Sequence, residues 1–385
     1  MKVALSTLGK FHSFDLAREL HAAGMLQAIF TSYPKFKLHD ERIPADRLMS
    51  FPWIHVPYMA MNKWGVAGPL SNRVMEYLGK RALDRYVASR LPDCDVFVGL
   101  SGSGLESGRR ARRLGARYVC DRGSAHIRVQ NDLLLAEHDR WGMPFAGIDP
   151  RVMDLECAEY EEADCITVPS QFALRTFLER GIPFQKLRLL PYGTHLQRFH
   201  QVGAPNPMRF DVLFVGDMSL QKGVPYLLQA FRRLEHPHKR LHFVGTPSSA
   251  LMDHMKQHQL WSDDIRVWGH MPQSELKRIM SISHVLVLPS IQEGFGMVMA
   301  QALACGCPVI ASRSSGAPDL YEHGREGYIT AERDVDAIAS HLQMLADQPQ
   351  VRMAMSLRAR TRVVQIGGWR QYGERAQQIY RELLA

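Results

Sequence analysis

Two charged side chains and a set of glycines define the chemistry open to this sequence. Glu293-Gly294-Phe295-Gly296 follows a short apolar run at 285–288 and precedes residues 297–304, which are strong helix formers stopped by Gly306 and Pro308. The apolar run has the length of one buried parallel strand, and Val309-Ile310-Ala311 begins the next. Strand, loop, helix and strand form one unit. Its carboxylate lies in the loop at the strand's carboxyl end, where open α/β sheets bind ligands. Gly294 and Gly296 let the backbone approach a ligand closely. The helix opening at Met297 offers free N–H groups and a positive dipole end to an anion such as phosphate. Lys222, followed by Gly223 and a helical stretch over 224–234, is a second loop of this kind, beginning at Gly216. His126 lies past a strand at 117–120, where a functional and a structural histidine are equally at home.

The surrounding pattern must position these groups. A strand over 3–7 is followed by a loop containing Gly9 and His12, then a helix ending at Gly24. No G-x-G-x-x-G is present there, so a dinucleotide fingerprint is absent. His12 fits a capping or solvent position as well as a functional one. After a strand at 27–31, residues 33–69 are irregular and proline-rich, with Trp53, Tyr58 and Trp64, a length of irregular chain that usually marks a functional or mobile stretch. Residues 71–91 read as a helix with an apolar face and a basic face. That pattern suits both an anionic membrane surface and a core-facing helix with a solvated basic side. A strand at 95–100 leads to a Gly-rich loop, 101–108, expected over the cleft, and a basic helix continues from 109. The helix at 150–164 carries Glu156, Glu159, Glu161 and Glu162, read as a solvated face.

Residues 200–208 have the Gly and Pro content of a linker. New strands follow at 211–215, 240–244 and 265–267. Near the end, Gly367-Gly368-Trp369 breaks the chain before a last helix at 372–384. At 385 residues the chain is long enough for two cores. The expected division is 1–200 and 201–366, followed by a last segment, 367–385. Hydrophobic residues make up 46% and charged residues 22%, which describes a globular rather than a disordered protein, and the alternation of strands and helices makes it α/β. No apolar run is long enough to span a bilayer, and residues 1–6 read as a first strand rather than a signal peptide. Six scattered cysteines without a Cys-x2-Cys pair point to reduced, packed thiols and no zinc. The net charge of +8 is spread over both halves, which suits anionic ligands or a membrane surface and not a nucleic-acid partner.

The central motif also resembles a known family. Glu293-Gly294-Phe295-Gly296 followed by Gln301 is similar to the Glu-x7-Glu signature of retaining glycosyltransferases of family 4, the group 1 glycosyltransferases, with Gln301 in place of the second Glu. The resemblance implies the GT-B fold: two Rossmann-like domains facing a central cleft, with a C-terminal helix crossing back to the first. It implies a nucleotide-sugar donor, a glycan or lipid-linked acceptor, and no metal or other cofactor. It places Glu293 at the donor sugar, Gln301 at the ribose, Lys222 at the diphosphate, and Gly9 and Gly216 in loops near it. The helix start at Gly294, Phe295, Gly296 and Met297 faces the phosphate, His126 the donor sugar, and the turn at His270 the nucleobase. Asp217 stands where the family has an arginine of the diphosphate clamp, and Arg313 is the candidate to replace it. Epimerase or phosphorylase chemistry on the same fold, or an inactive sugar-nucleotide-binding partner, are the alternative readings. A cytoplasmic enzyme, with peripheral contact at the membrane through residues 71–91, is the expected setting.

Overall fold

The computed structural model describes residues 1–54, 56–57, 59 and 68–385; Tyr58 and Trp64 lie outside them. The first half runs β1 (Val3–Thr7), α1 (His12–Ala22), β2 (Leu26–Thr31), β3 (Leu48–Ser50), α2 (Pro69–Arg90), β4 (Val96–Leu100), α3 (Leu105–Arg113) and β5 (Arg117–Asp121). It continues with α4 (Ile127–Arg140), α5 (Pro150–Glu162), β6 (Cys165–Val168), α6 (Gln171–Glu179) and β7 (Leu187–Leu189). The second half begins β8 (Phe210–Val215), α7 (Val224–Arg233), β9 (Lys239–Val244), α8 (Ser249–Gln257), β10 (Ile265–Gly269), α9 (Gln273–Ile282) and β11 (Val285–Leu288). It ends with α10 (Met297–Ala304), β12 (Val309–Ser312), α11 (Ala317–Leu320), β13 (Gly327–Thr330), α12 (Val335–Asp347), α13 (Pro349–Ile366) and α14 (Trp369–Leu384).

Each half holds one parallel sheet, ordered β3-β2-β1-β4-β5-β6-β7 and β10-β9-β8-β11-β12-β13. Parallel strands covered on both faces read as continuous apolar runs, and Val285, Leu286, Val287 and Leu288 are all fully buried. Strand order reverses beside β1 and beside β8, so each sheet has a switch point at the carboxyl ends of its central strands, where its loops can hold a ligand. The last helix, α14, packs on α1: a Cβ on Gly373 would stand 2.4 Å from the Glu19 Cβ. The chain turns into α14 where Gly193 meets Gly368, at a spacing that would put a Gly193 Cβ 2.6 Å from the Gly368 carbonyl.

Two expectations are corrected in the first domain. The glycines at 101–108 do not form an open loop over the cleft, because α3 begins at Leu105. Gly104 and Gly108 make room for the buried Tyr118 ring. Glu156 and Glu159 are not solvated; they are 2% and 0% exposed. Glu159 accepts the N–H groups of Gly102 and Gly104, each at 2.6 Å, and Glu156 pairs with Arg122 at 2.8 Å. Asp84 from α2 is buried too, accepting N–H groups of Glu106 and Ser107 at the start of α3. These carboxylates satisfy helix-end and turn donors that would otherwise be orphaned in the core. Burial pushes the Glu159 and Asp84 carboxyls above the usual carboxylate range.

A methyl group at Gly108 tests this packing. In an exposed helix, Gly→Ala stabilises by about 0.5–1 kcal/mol. Here the new Cβ would lie 2.5 Å from the Tyr118 ring. Gly108→Ala is therefore expected to destabilise by roughly 1–3 kcal/mol, the usual cost of overpacking. Thermal or urea unfolding would read it, and a more stable variant would contradict the wedge.

Candidate functional site

The carboxyl ends of both sheets open into a cleft of about 1510 Å³, larger than the roughly 300–1,000 Å³ that encloses one small ligand. On the first-domain wall stand Lys10, His12, Arg122, Gly123 and Tyr192; on the second stand Glu293, Phe295, Gly296, Met297 and Gln301. The second wall is the predicted strand–loop–helix unit. Gly296 closes the loop at φ 79°, a left-handed conformation that glycine takes at no steric cost, and forms the N-cap of α10. The Glu293 N–H donates to Ser314 O at 2.8 Å, and the Gly316 N–H to Phe295 O at 2.9 Å. The next loop of the sheet thereby holds this one.

Lys222 and Glu293 meet. The lysine Nζ pairs with Glu293 Oε2, both side chains being largely buried. Gly223, at φ 69°, brings the Lys222 loop against the end of β11, close enough that a Cβ there would lie 2.0 Å from Pro289 O. Gln301 lies on α10 in line with Met297, one turn further along, and both line the cleft. Gly294 has a different role from its expected one. A Cβ on it would stand 1.9 Å from the Gly123 carbonyl oxygen, and its own carbonyl accepts the Ser170 hydroxyl at 2.6 Å. It is the point where the loop carrying Glu293 touches the first domain.

Other expected residues lie elsewhere. Gly9 is buried under the Phe11 ring, and Gly216 sits at the end of β8 at φ 146°; neither lines the cleft. His270 is exposed after β10, also outside the cleft lining. Arg313 is exposed and turns to Glu332 at 3.5 Å, so it is no substitute for the missing clamp arginine. His126 does not face a sugar pocket. It is 4% exposed, with its ring centroid 5.0 Å from that of Tyr160 and 5.1 Å from that of Phe177. Its Nδ1 accepts the Arg128 N–H at 3.2 Å, capping α4. Burial first, then the Arg122 charge, lowers its pKa to about 4. The imidazole is a neutral cap inside the first domain.

Residues 197–362 match the family "Glycosyl transferases group 1", and residues 12–193 match "Glycosyl transferase 4-like domain". The chain belongs to the group 1 glycosyltransferases. Among curated members, glycogen synthase of Mycobacterium tuberculosis (strain CDC 1551 / Oshkosh) is 29% identical over 174 residues, covering 44% of this chain and 42% of that one. The putative colanic acid biosynthesis glycosyltransferase WcaL of Salmonella typhimurium is 30% identical over 174 residues, 42% of each chain. The chain thus spans about half the length of the curated relatives it matches. Among solved structures, sucrose-phosphate synthase from Thermosynechococcus elongatus superposes with a TM-score of 0.74 at 22% identity, covering 100% of this chain and 99% of that one. Anabaena Alr3699/HepE in complex with UDP and glucose gives 0.72 at 16% identity, covering 99% and 100%. These likenesses carry the fold, which is GT-B.

Sequence reasoning places the second wall of this glycosyltransferase and misses much of the first. His12, left open between the cleft and a cap or solvent position, lies in the cleft with Nε2 2.6 Å from Asp121 Oδ2. Tyr192 stacks on it, with centroids 4.3 Å apart. The available signal was position: Asp121 ends β5 and His12 opens α1, both at carboxyl ends of strands in one sheet.

The buried His126 predicts an acid sensitivity. The unfolded chain takes up a proton near the ordinary pKa of 6.5, which the folded chain refuses until about pH 4. Stability is therefore lost as pH falls through that window, by at most about 1.4 kcal/mol per pH unit for each such group. His284, lowered likewise to about 4, contributes the same slope. His126→Asn keeps a good cap residue and removes one titration. Melting curves from pH 7 to 4 should show a shallower fall for the variant; an unchanged slope would contradict the neutral buried cap.

Proposed function

We propose that this chain transfers a sugar from a nucleoside-diphosphate-sugar donor to a glycan or lipid-linked acceptor, with retention of anomeric configuration and with no metal or cofactor in the step. The observation that carries the reading is the Lys222–Glu293 pair at the open end of α10. Departure of the nucleoside diphosphate builds positive character on the sugar ring and negative charge on the leaving phosphate. Lys222 and the first-turn N–H groups of α10 are suited to that negative charge. The two partners neutralise each other when no donor is bound. A diphosphate arriving at Lys222 replaces the carboxylate and frees Glu293 to accept hydrogen bonds from sugar hydroxyls, which orients the ring.

Gln301 serves the ribose in this reading. Its carbonyl accepts from one hydroxyl and its amide donates to the other, without the extra strength of a charged acceptor. Asp217 is exposed and contributes no cation, so Lys222 carries the diphosphate with the helix terminus. Retention follows from the family resemblance, and among the described residues no second carboxylate stands as a nucleophile beside Glu293, which favours displacement on one face of the ring. The acceptor class is supported by relatives named for colanic acid biosynthesis and for phosphatidylinositol monomannoside mannosylation.

A cytoplasmic setting with contact at the membrane surface belongs to the same proposal. Among the described residues no helix is long and apolar enough to cross a membrane. The basic side of α2 is partly spent in ion pairs, Arg81 with Glu106 and Lys80 with Glu76, while Arg85 and Arg90 are exposed.

Lys222→Ala tests the reading. Nucleotide release from UDP-, GDP-, ADP- and dTDP-sugars should fall by about 10²-fold or more with the preferred donor, the scale of losing one preorganised charge stabiliser. Turnover near the parent's would make the pair structural. Release that requires inorganic phosphate would favour phosphorylase chemistry instead.

A further inference from the structure

The transferase reading leaves one proton with two possible destinations, the departing phosphate oxygen and a side chain of the cleft. An acceptor hydroxyl must lose it as its oxygen bonds to the anomeric carbon. Most acidic groups lining the cleft are engaged by cations: Glu293 by Lys222, Glu41 by Lys10 and Arg18, and Asp15 by Arg18 and His195. His12 is differently placed. It and Asp121 are 8% and 5% exposed, and their contact at 2.6 Å fixes Nε2 as the ring's donor. The second oxygen of Asp121 accepts the Thr167 hydroxyl at 2.9 Å, so the carboxylate cannot swing away. Tyr192 stacks on one side of the imidazole, and Tyr372 meets it edge-on at 6.4 Å.

This clamp leaves Nδ1 as a lone-pair acceptor, and among the described residues nothing hydrogen-bonds it. The ring is also next to the seam. A Cβ on Gly123 would lie 3.8 Å from His12 Cε1, and one on Gly294 would lie 1.9 Å from Gly123 O. One glycine therefore separates the imidazole from the loop that carries Glu293. A rigid, carboxylate-oriented imidazole within a substrate-sized cleft has the arrangement of a general base.

We propose that His12 is the catalytic base of the transfer and Asp121 its positioning residue; the inference rests on the transferase reading above. The acceptor O–H proton moves to His12 Nδ1 as the oxygen's electron pair forms the bond to the anomeric carbon. The bond from that carbon to the β-phosphate oxygen breaks, and its electron pair leaves with the nucleoside diphosphate. The resulting imidazolium is stabilised by the Asp121 carboxylate and returns its proton to water once product has gone. The assignment concerns the path of the proton; the competing path is direct transfer to the departing phosphate oxygen.

The experiment measures nucleotide release from UDP-glucose, GDP-mannose, ADP-glucose and dTDP-glucose, with water as acceptor, across pH. The titratable groups facing the ring are Asp121 from β5, Tyr192 after β7 and Tyr372 on α14; burial holds both tyrosines protonated. His12→Gln should lower turnover by about 10²–10⁴-fold, the span of one general base, abolish the acid-side fall of the rate profile, and leave nucleotide affinity in place. Asp121→Asn should slow the reaction as well, because an amide can donate to Nε2 and force the ring proton onto Nδ1. His12→Ala should regain part of its rate on addition of free imidazole, which an unfolded variant would not do. Near-parental turnover with the parental pH profile in His12→Gln, or no imidazole rescue of a folded His12→Ala, would overturn the inference alone. A parent protein that released nucleotide from none of the four donors would overturn the transferase reading itself.

Discussion

The two halves of this protein touch where neither has a side chain. Gly294, in the loop that carries Glu293, lies so close to the Gly123 carbonyl that any Cβ would collide with it. Around that point Ser170 donates to Gly294 O, Ser124 to Gln292 Oε1 at 3.1 Å, and the Gln171 N–H to the Asp319 carboxylate at 3.1 Å. Burial raises the Asp319 carboxyl to about 6. The loop that carries Glu293 is therefore positioned partly by the first domain, and any opening of the cleft must break bonds made by the residues beside Glu293. Geometry at the site and closure of the domains are one constraint.

A second contact between the two halves supports the same arrangement. Glu137 on α4 is fully buried, pairs with Arg333 at 2.8 Å and accepts the Tyr226 hydroxyl at 2.5 Å. Breaking such a pair by removing one partner leaves an uncompensated charge, which costs more than the intact pair contributes. The cleft follows a similar logic. Lys222 with Glu293 and His12 with Asp121 hold opposite charges or hydrogen-bonding partners together before substrate arrives. In the proposed reaction Lys222 exchanges its partner on binding instead of being stripped bare, while Asp121 stays on His12, in a setting less polar than water, where each contact counts for more.

The second domain is legible in the sequence because its signals are local. Strand 285–288, the glycines at 294 and 296 and the helix at 297–304 lie within one stretch, and Lys222 with Gly223 announces the matching loop. What escapes is long-range. Periodicity places Glu156 and Glu159 on a helix, yet cannot say that the side they occupy is covered by the turn at 101–104. His126 draws attention by its place after a strand, and the rings of Tyr160 and Phe177, which enclose it, come from distant segments. His12 gains its meaning only from Asp121, 109 positions away. Helix α4 goes unmarked in the sequence reading, and the expected irregular stretch before α2 contains the short strand β3.

The central claim is that the pocket lined by Glu293 and Gln301, with Lys222 held on Glu293, holds a nucleoside-diphosphate sugar. Thermal denaturation of the parent protein with UDP-, GDP-, ADP- and dTDP-sugars in turn measures this directly, since a ligand bound only by the folded state stabilises it by about 2.7 kcal/mol at a hundredfold excess over its Kd. One nucleotide family should raise the melting temperature by several degrees, and the rise should shrink in Lys222→Ala. An unshifted melting temperature with all four would contradict the account.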